Sequence, residues 1–237
     1  MAATDFDIVA LAEYLHLRPE QVAKMADRGQ LPGRRISGEW RFSLGDIHHW
    51  LEERIGASDE EQLVAIESAF ERNRDVSDEN VRVSDLLTTE AIALPLEART
   101  RVSVISEMIS LAGKTGWLWD PERMESAVKQ RESLHPTALD NGVALLHPRR
   151  PLTSILGQSF LALGRTNRGI PFGHPRGVLT DIFFLIAATD DRIHLRILAR
   201  LSRLVSRPDV LEAIRTLSDP RELLECLRQL EQQTLDS

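Results

Sequence analysis

The chain has 237 residues, 42% of them hydrophobic and 27% charged, and carries a formal net charge of -7. This is the composition of a soluble globular protein with two domains, one of them small, and its longest apolar run falls far short of the roughly 18 residues that crossing a bilayer requires. One cysteine, Cys226, excludes an internal disulfide framework and a cysteine-based zinc cluster, and the acidic Asp5 and Asp7, with no basic leader, set the expectation of a cytoplasmic protein without a signal peptide.

Residues 6–51 predict a helix, a turn, a second helix, a hairpin and a third helix in quick succession. The first helix has Ile8, Leu11, Ala12 and Leu15 on one face, and the second has Val22, Met25 and Ala26, with Pro19 in its first turn and Gly29 at its end. In the hairpin Trp40 and Phe42 alternate with Glu39 and Arg41, so the aromatics are expected to pack inward and Arg41 to face solvent. Ser43 and Asp46 predict a cap for the third helix, which carries Ile47, Trp50 and Leu51. The adjacent His48 and His49 point in different directions on that helix, a poor geometry for a shared metal, and no metal site or cofactor is expected.

This order resembles the excisionase and MerR-like winged-helix DNA-binding domain. The residues that carry the likeness are Leu11, Ala12 and Leu15, then Gly29, Leu31 and Pro32, then Trp40, Arg41 and Phe42, then Trp50 and Leu51. The resemblance implies a small, mostly α domain over 1–55 whose second helix enters the major groove while the hairpin acts as a wing against the phosphates. Its expected DNA-binding residues are Arg18, Gln21, Lys24, Arg28, Arg34, Arg35 and Arg41. From 18 to 41 the six basic residues outnumber the acidic Glu20, Asp27 and Glu39, a local balance of +3 in an acidic chain. So small an excess predicts modest affinity for one copy, and a homodimer would double the contacts. Solvated arginines on a protein-binding winged helix are the plainer alternative.

Residues 56–80 are rich in acidic and polar residues, yet Leu63, Ile66, Ala69 and Phe70 fall at helical spacing; the segment reads either as a flexible tether or as an amphipathic helix. From residue 81 onward the pattern changes to that of an α/β domain, with helices expected over 98–112, 121–131, 194–205 and 221–232. Gly113, Lys114 and Thr115 are similar to the end of a phosphate-binding loop, but Met108 stands where the leading glycine belongs. Cys226 sits among Leu223, Leu224, Leu227 and Leu230 at helical spacing and reads as a packing thiol.

The stretch 131–147, RESLHPTALDNGVALLH, is the best candidate for a reactive site. Val143, Ala144, Leu145 and Leu146 read as a buried strand entered through a turn at Asp140, Asn141 and Gly142, and His147 is delivered to an exposed edge where Pro148 ends regular pairing. An ordinary polar strand terminus looks the same. The segment resembles the phosphorylation-site region of enzyme IIA domains of the mannitol, fructose and nitrogen-regulatory class of the bacterial phosphotransferase system. Arg131 and Glu132 match the family's Arg-Glu pair, Thr137 its Thr, Gly142 its turn glycine, and Ala144 to His147 its Ala-Ile-Pro-His, with Leu146 in place of the Pro. Further matches follow at Gly169 and Phe172, in the apolar run 182–188, and at His194 and Leu195.

The resemblance implies a IIA type 2-like mixed sheet flanked by helices over 81–237, with His147 as a phosphohistidine carrier. His194, expected to open a helix, is the implied partner that donates to a phosphate oxygen, although a satisfied core histidine would sit at the same place. Thr137 is expected to add a hydroxyl donor, and Arg149 and Arg150 either to contact phosphate or to be solvated. The implied partners are an HPr-like phosphocarrier, DNA and a separate IIB protein, since no IIB domain is visible. The expected function is a phosphotransferase-linked transcriptional regulator. Two alternatives stay open: a non-catalytic regulator that uses the IIA fold for docking, and a IIA phosphocarrier whose winged helix only mediates assembly.

Overall fold

The structure is a computed structural model and describes residues 5–15, 17–44, 46–47, 50–51 and 82–235. The expectations for the 56–80 segment and for His48 and His49 lie outside the described residues. By its internal packing the chain divides into two compact units, 1–77 and 78–237.

In the first unit β1 (Asp5–Phe6) leads into α1 (Ile8–Leu15), where Asp7 Oδ1 accepts from Ala10 N at 2.8 Å and satisfies one of the orphan N–H groups of the helix start. α2 (Pro19–Asp27) begins with Pro19, whose missing N–H is no loss in a first turn, and Gln21 reaches back so that its Oε1 accepts from Arg18 N at 3.0 Å. Gly29, with φ +68°, ends the helix in the left-handed conformation. The hairpin joins β2 (Arg34–Ile36) to β3 (Glu39–Ser43) through Ser37 and Gly38, both at positive φ, the tight turn whose twist suits paired strands. β1 pairs on the other side of β3, so the small sheet has the order β1-β3-β2.

Phe42 is fully buried with Leu11, Val22 and Ile47, as the alternation predicts. Trp40 departs from the prediction and stays half-buried: it stacks on Phe42 at 6.0 Å and donates its indole N–H to Asp27 at 3.1 Å. A ring with a polar edge is more stable at the rim than sealed inside. Ser43 Oγ accepts from Asp46 N at 3.3 Å, as the cap requires.

The second unit is a four-stranded mixed sheet between helices. Its strands are β4 (Leu87–Ala93), β5 (Val143–Leu146), β6 (Phe160–Pro171) and β7 (Leu179–Ala187), in the order β4-β6-β7-β5. β4 runs parallel to β6 and β5 parallel to β7, while β6 and β7 are antiparallel. One face carries Ala144, Leu146, Ala162, Phe183 and Leu185 into a core with α3 (Arg101–Gly113) and α4 (Pro121–Leu134). The other face buries Val143, Leu145, Leu161, Leu163, Ile182 and Phe184. On that side, α5 (Asp191–Ser206) packs on β7 and α7 (Pro220–Leu235) on β4, with α6 (Pro208–Thr216) between them in the chain. Covering both faces is why β5 and β7 are continuous apolar runs and not alternating ones.

Two expectations need correction. The helix containing His194 starts earlier than His194: Asp190 is its cap, with Oδ1 accepting from Ile193 N at 2.9 Å, and His194 N already bonds back to Asp190 O at 3.0 Å. α6 was not expected at all. It is nine residues long, too short to persist alone, and is held from outside because Arg165 Nη1 donates to the carbonyls of Ile214, Arg215 and Leu217 at its C-terminal end.

Candidate functional site

Asp140, Asn141 and Gly142 turn the chain into β5. Gly142 has φ +85°, and a Cβ there would lie 2.9 Å from Arg215 Nη2 and 3.0 Å from Asp181 Oδ1, so both conformation and space demand glycine. The Asn141 amide closes the turn, donating to Val205 O at 2.8 Å and accepting from Val143 N at 3.3 Å. β5 then pairs with β7 from Val143 opposite Ile182 to Leu146 opposite Leu185. Leu146, which stands at the family's Pro position, is fully buried in the core.

His147 follows directly. The sequence placed it at an exposed edge; β5 is indeed an edge strand, but His147 is only 4% exposed. The outer edge of β5 is covered by residues 137–139: Leu145 N donates to Thr137 O at 3.3 Å, Leu139 N to Val143 O at 2.7 Å, and Ala138 bridges Ala144. Unpaired strand edges are costly when buried, and this segment satisfies them.

His147 Nδ1 lies 2.8 Å from Leu145 O. A carbonyl only accepts, so Nδ1 carries the proton and the lone pair of the neutral ring is on Nε2. The His194 ring, 2% exposed, packs against it with centroids 5.1 Å apart and planes inclined at 57°. The fold therefore brings together the two histidines singled out in the sequence. Arg149 and Arg150 are exposed on the loop that follows.

Thr137 is buried beside this strand but its side chain is engaged elsewhere. Its Oγ1 donates to Glu132 Oε2 at 2.7 Å and its N to Glu132 Oε1 at 3.0 Å. The single hydroxyl proton is thus committed to a carboxylate, which redirects the expected donor role. Burial raises the Glu132 carboxyl above its ordinary range, against the lowering effect of the Thr137 bonds and of Arg101 and Arg131. Arg101, from α3, reaches Glu132 through Nη2, bonding its backbone carbonyl and, at 3.2 Å, Oε1. Glu132 matched the family's pair without an assigned role, and Arg101 was missed, because no local pattern joins two residues on different helices.

In the first unit Gln21, Lys24 and Arg28 lie at i, i+3 and i+7 along an exposed face of α2 and its cap. Arg34 pairs with Asp5 at 3.1 Å, Arg35 with Asp27 at 3.0 Å while lying over Trp40, and Arg41 with Glu39 at 2.8 Å. Arg18 is exposed and its Nε donates to Gln21 Oε1 at 3.4 Å. Among the described residues there is no group of His, Cys, Asp and Glu suited to a metal, and no helix is long and apolar enough to cross a membrane.

A mixed sheet layered by helices, with paired histidines at an edge strand, defines a IIA-type domain, and the family comparison agrees. The family model described as "Phosphoenolpyruvate-dependent sugar phosphotransferase system, EIIA 2" matches residues 85–230, and the chain belongs to this family. A second model, "Helix-turn-helix domain", matches residues 6–55. The fructose-specific EIIABC component of Bacillus subtilis (strain 168) is 31% identical over 132 residues, 55% of this chain but only 20% of that protein. The nitrogen regulatory protein of Bradyrhizobium diazoefficiens is 29% identical over 148 residues, 61% of this chain and 94% of that one. Among solved structures, the complex of enzyme IIA for mannitol with phosphorylated enzyme IIB from Escherichia coli has a chain that superposes with a TM-score of 0.54. It is 22% identical and is covered to 97%, against 60% of this chain, a likeness of fold.

Proposed function

We propose that this protein is a phosphotransferase-linked regulator in which an N-terminal DNA reader is coupled to a IIA domain phosphorylated on His147. The observation that carries the reading is the His147 and His194 pair, with Nδ1–H held by the Leu145 carbonyl and the lone pair on Nε2. Phosphoryl transfer needs an in-line nucleophile and donors for the equatorial oxygens. His147 Nε2 attacks the phosphorus of a phosphohistidine on an HPr-like carrier. The new N–P bond forms as the donor's N–P bond breaks, and the donor imidazole recovers its electron pair. The positive charge that develops on the His147 ring is stabilised by the Nδ1–H bond to Leu145 O and offset by the phosphoryl dianion. His194 donates an N–H to a phosphoryl oxygen. Thr137 acts through Glu132, as a positioning group for the strand edge.

Onward transfer goes to a separate IIB protein, a reading supported by the solved complex of a IIA domain with its phosphorylated IIB partner. The unit 1–55 reads DNA with Gln21, Lys24 and Arg28 of α2 in the groove and with Arg18, Arg34, Arg35 and Arg41 against phosphates, as a homodimer on paired half-sites. Residues 56–80 link it to the IIA domain of 81–237, and the protein acts in the cytoplasm. Incubation with phosphoenolpyruvate, enzyme I and HPr or a paralogue is expected to label the wild type and not His147→Ala; equal labelling of both removes His147 as the acceptor.

One observation favours a second reading. Each wing arginine already holds a carboxylate, which weakens the positive field and suits a winged helix that serves only in assembly. Such exposed pairs are worth only about 0–1 kcal/mol, so a phosphate can displace the carboxylate. A gel shift at low salt separates the readings: no binding to any DNA there leaves assembly alone.

A further inference from the structure

We infer that Glu132 is a positioning residue for His147, acting through the turn that its carboxylate closes; the inference deepens the phosphoryl-acceptor reading and rests on it for its kinetic consequence. β5 is an edge strand, and residues 137–139 cover its outer side with only a few bonds. No regular hairpin fixes that segment.

Its flanks are held by Arg131, which donates to His135 O, and by His174 and Arg176 on Asp140, and its start is gripped by Glu132. The two carboxylate oxygens of Glu132, 2% exposed, take the N–H and the hydroxyl of Thr137 at 3.0 and 2.7 Å, gripping one residue by both of its donors. Arg101 holds the carboxylate in turn and lies over the Phe172 ring at 5.6 Å, which ties the clasp to α3 and to the segment after β6. The Thr137 carbonyl then accepts from Leu145 N, and the carbonyl of that same Leu145 accepts from His147 Nδ1. The contacts run from Arg101 to Glu132, to Thr137, to Leu145, to His147, with a hydrogen bond at every step.

The consequence is tautomeric. Loss of the carboxylate releases Thr137 and with it the outer hydrogen bond to Leu145 N, so that the edge of β5, still paired with β7 on its inner side, shifts and the Leu145 carbonyl holds the proton on Nδ1 less well. Whenever the proton sits on Nε2 the ring has no lone pair there to attack phosphorus. Glu132 bonds to Thr137 and Arg101 and reaches His147 only through them, so its role is positional.

The test uses the full chain, uniformly labelled with 15N, and reads the ring nitrogens of His147 by NMR together with the rate of phosphoryl uptake from phosphorylated HPr. The wild type is expected to show the Nδ1–H form. Glu132→Ala and Thr137→Val are expected to show mixed tautomers and uptake slowed by up to about 100-fold, the scale of a small displacement in a reacting group, while Thr137→Ser restores both readings. A folded Glu132→Ala that keeps the wild-type tautomer overturns the inference; if that variant does not fold, Thr137→Val decides by the same reading. The tautomer signal needs no phosphoryl donor, so failure of the acceptor reading, seen as absent labelling of His147, is distinguishable from failure of this one.

Discussion

His147 and His194 stand with their ring centroids 5.1 Å apart, one just past the end of an edge strand and the other at the top of the first turn of α5. Neither ring is more than 4% exposed, so each is oriented by packing before any partner arrives. In the proposed phosphoryl transfer, that preorganisation suits His194 to donate to a phosphoryl group on His147. His194→Ala is expected to keep the labelling site but slow uptake by about 100-fold, the typical cost of removing one charge-stabilising donor. Rapid-quench measurement of label incorporation checks this, and an unchanged rate excludes His194 from the transfer.

Glu132 provides a dependence on pH. Burial raises its carboxyl above the ordinary carboxylate range, so the folded chain holds that proton more tightly than the unfolded chain does. Stability from this group is therefore fully present below the ordinary value and declines as pH rises through the raised one. Glu132→Gln cannot titrate and is expected to lack that decline. Urea midpoints of the two proteins compared across the window above pH 4.5 should diverge with pH; parallel curves contradict it.

Glu231 of α7 is buried, and its carboxylate takes Val83 N at 2.6 Å, Ser84 N at 2.9 Å and Ser84 Oγ at 2.6 Å. It thereby holds the start of the IIA-type unit to its last helix. Glu231→Ala leaves those donors buried without an acceptor and is expected to destabilise by about 3 kcal/mol in urea unfolding. A loss below about 1 kcal/mol means that water replaces the carboxylate.

Gly142→Ala combines a left-handed backbone with a Cβ pressed against the Arg215 and Asp181 pair. The conformation alone costs about 1–2 kcal/mol. Because Arg215 also donates to Asn141 O at 2.8 Å, the substitution should disturb entry into β5 and lower the thermal midpoint. A wild-type midpoint rules out a strained turn.

DNA binding by α2 predicts a particular response to salt. Lys24→Ala and Arg28→Ala, in the groove, are each expected to weaken binding and relax sequence preference, and the loss of either cation to reduce the slope of log affinity against log salt by up to about 1. Fluorescence anisotropy across a salt series measures it. Unchanged slopes and affinities in both variants would move the DNA surface away from α2.

Much of this was readable along the chain. Val143 to Leu146 is an apolar run bounded by a turn glycine and a proline, and such a run declares a buried strand with defined ends. The ends of α2, set by Pro19 and Gly29, were equally plain, because capping and left-handed glycine are local chemistry. β6 was not legible: Asn167 and Gly169 are poor strand formers, and the strand continues past them because β7 pairs with it on either side of an irregularity, from Phe160 to Arg165 and again at Ile170 and Pro171. α6 was hidden for a similar reason, since the cap for its C-terminal carbonyls comes from Arg165 on β6.

The site divides in the same way. The strand end pointed to His147 as a candidate, and the resemblance to IIA domains singled out His147, His194 and Thr137 together, a likeness carried by residue order and spacing. That the two histidines meet, that His147 is buried while the edge of β5 before it is covered by the 137–139 segment, and that Thr137 gives its proton to Glu132 are three-dimensional facts. They depend on which groups the folded backbone brings within about 3 Å of one another, and hydrogen bonds of that length leave no trace in sequence spacing.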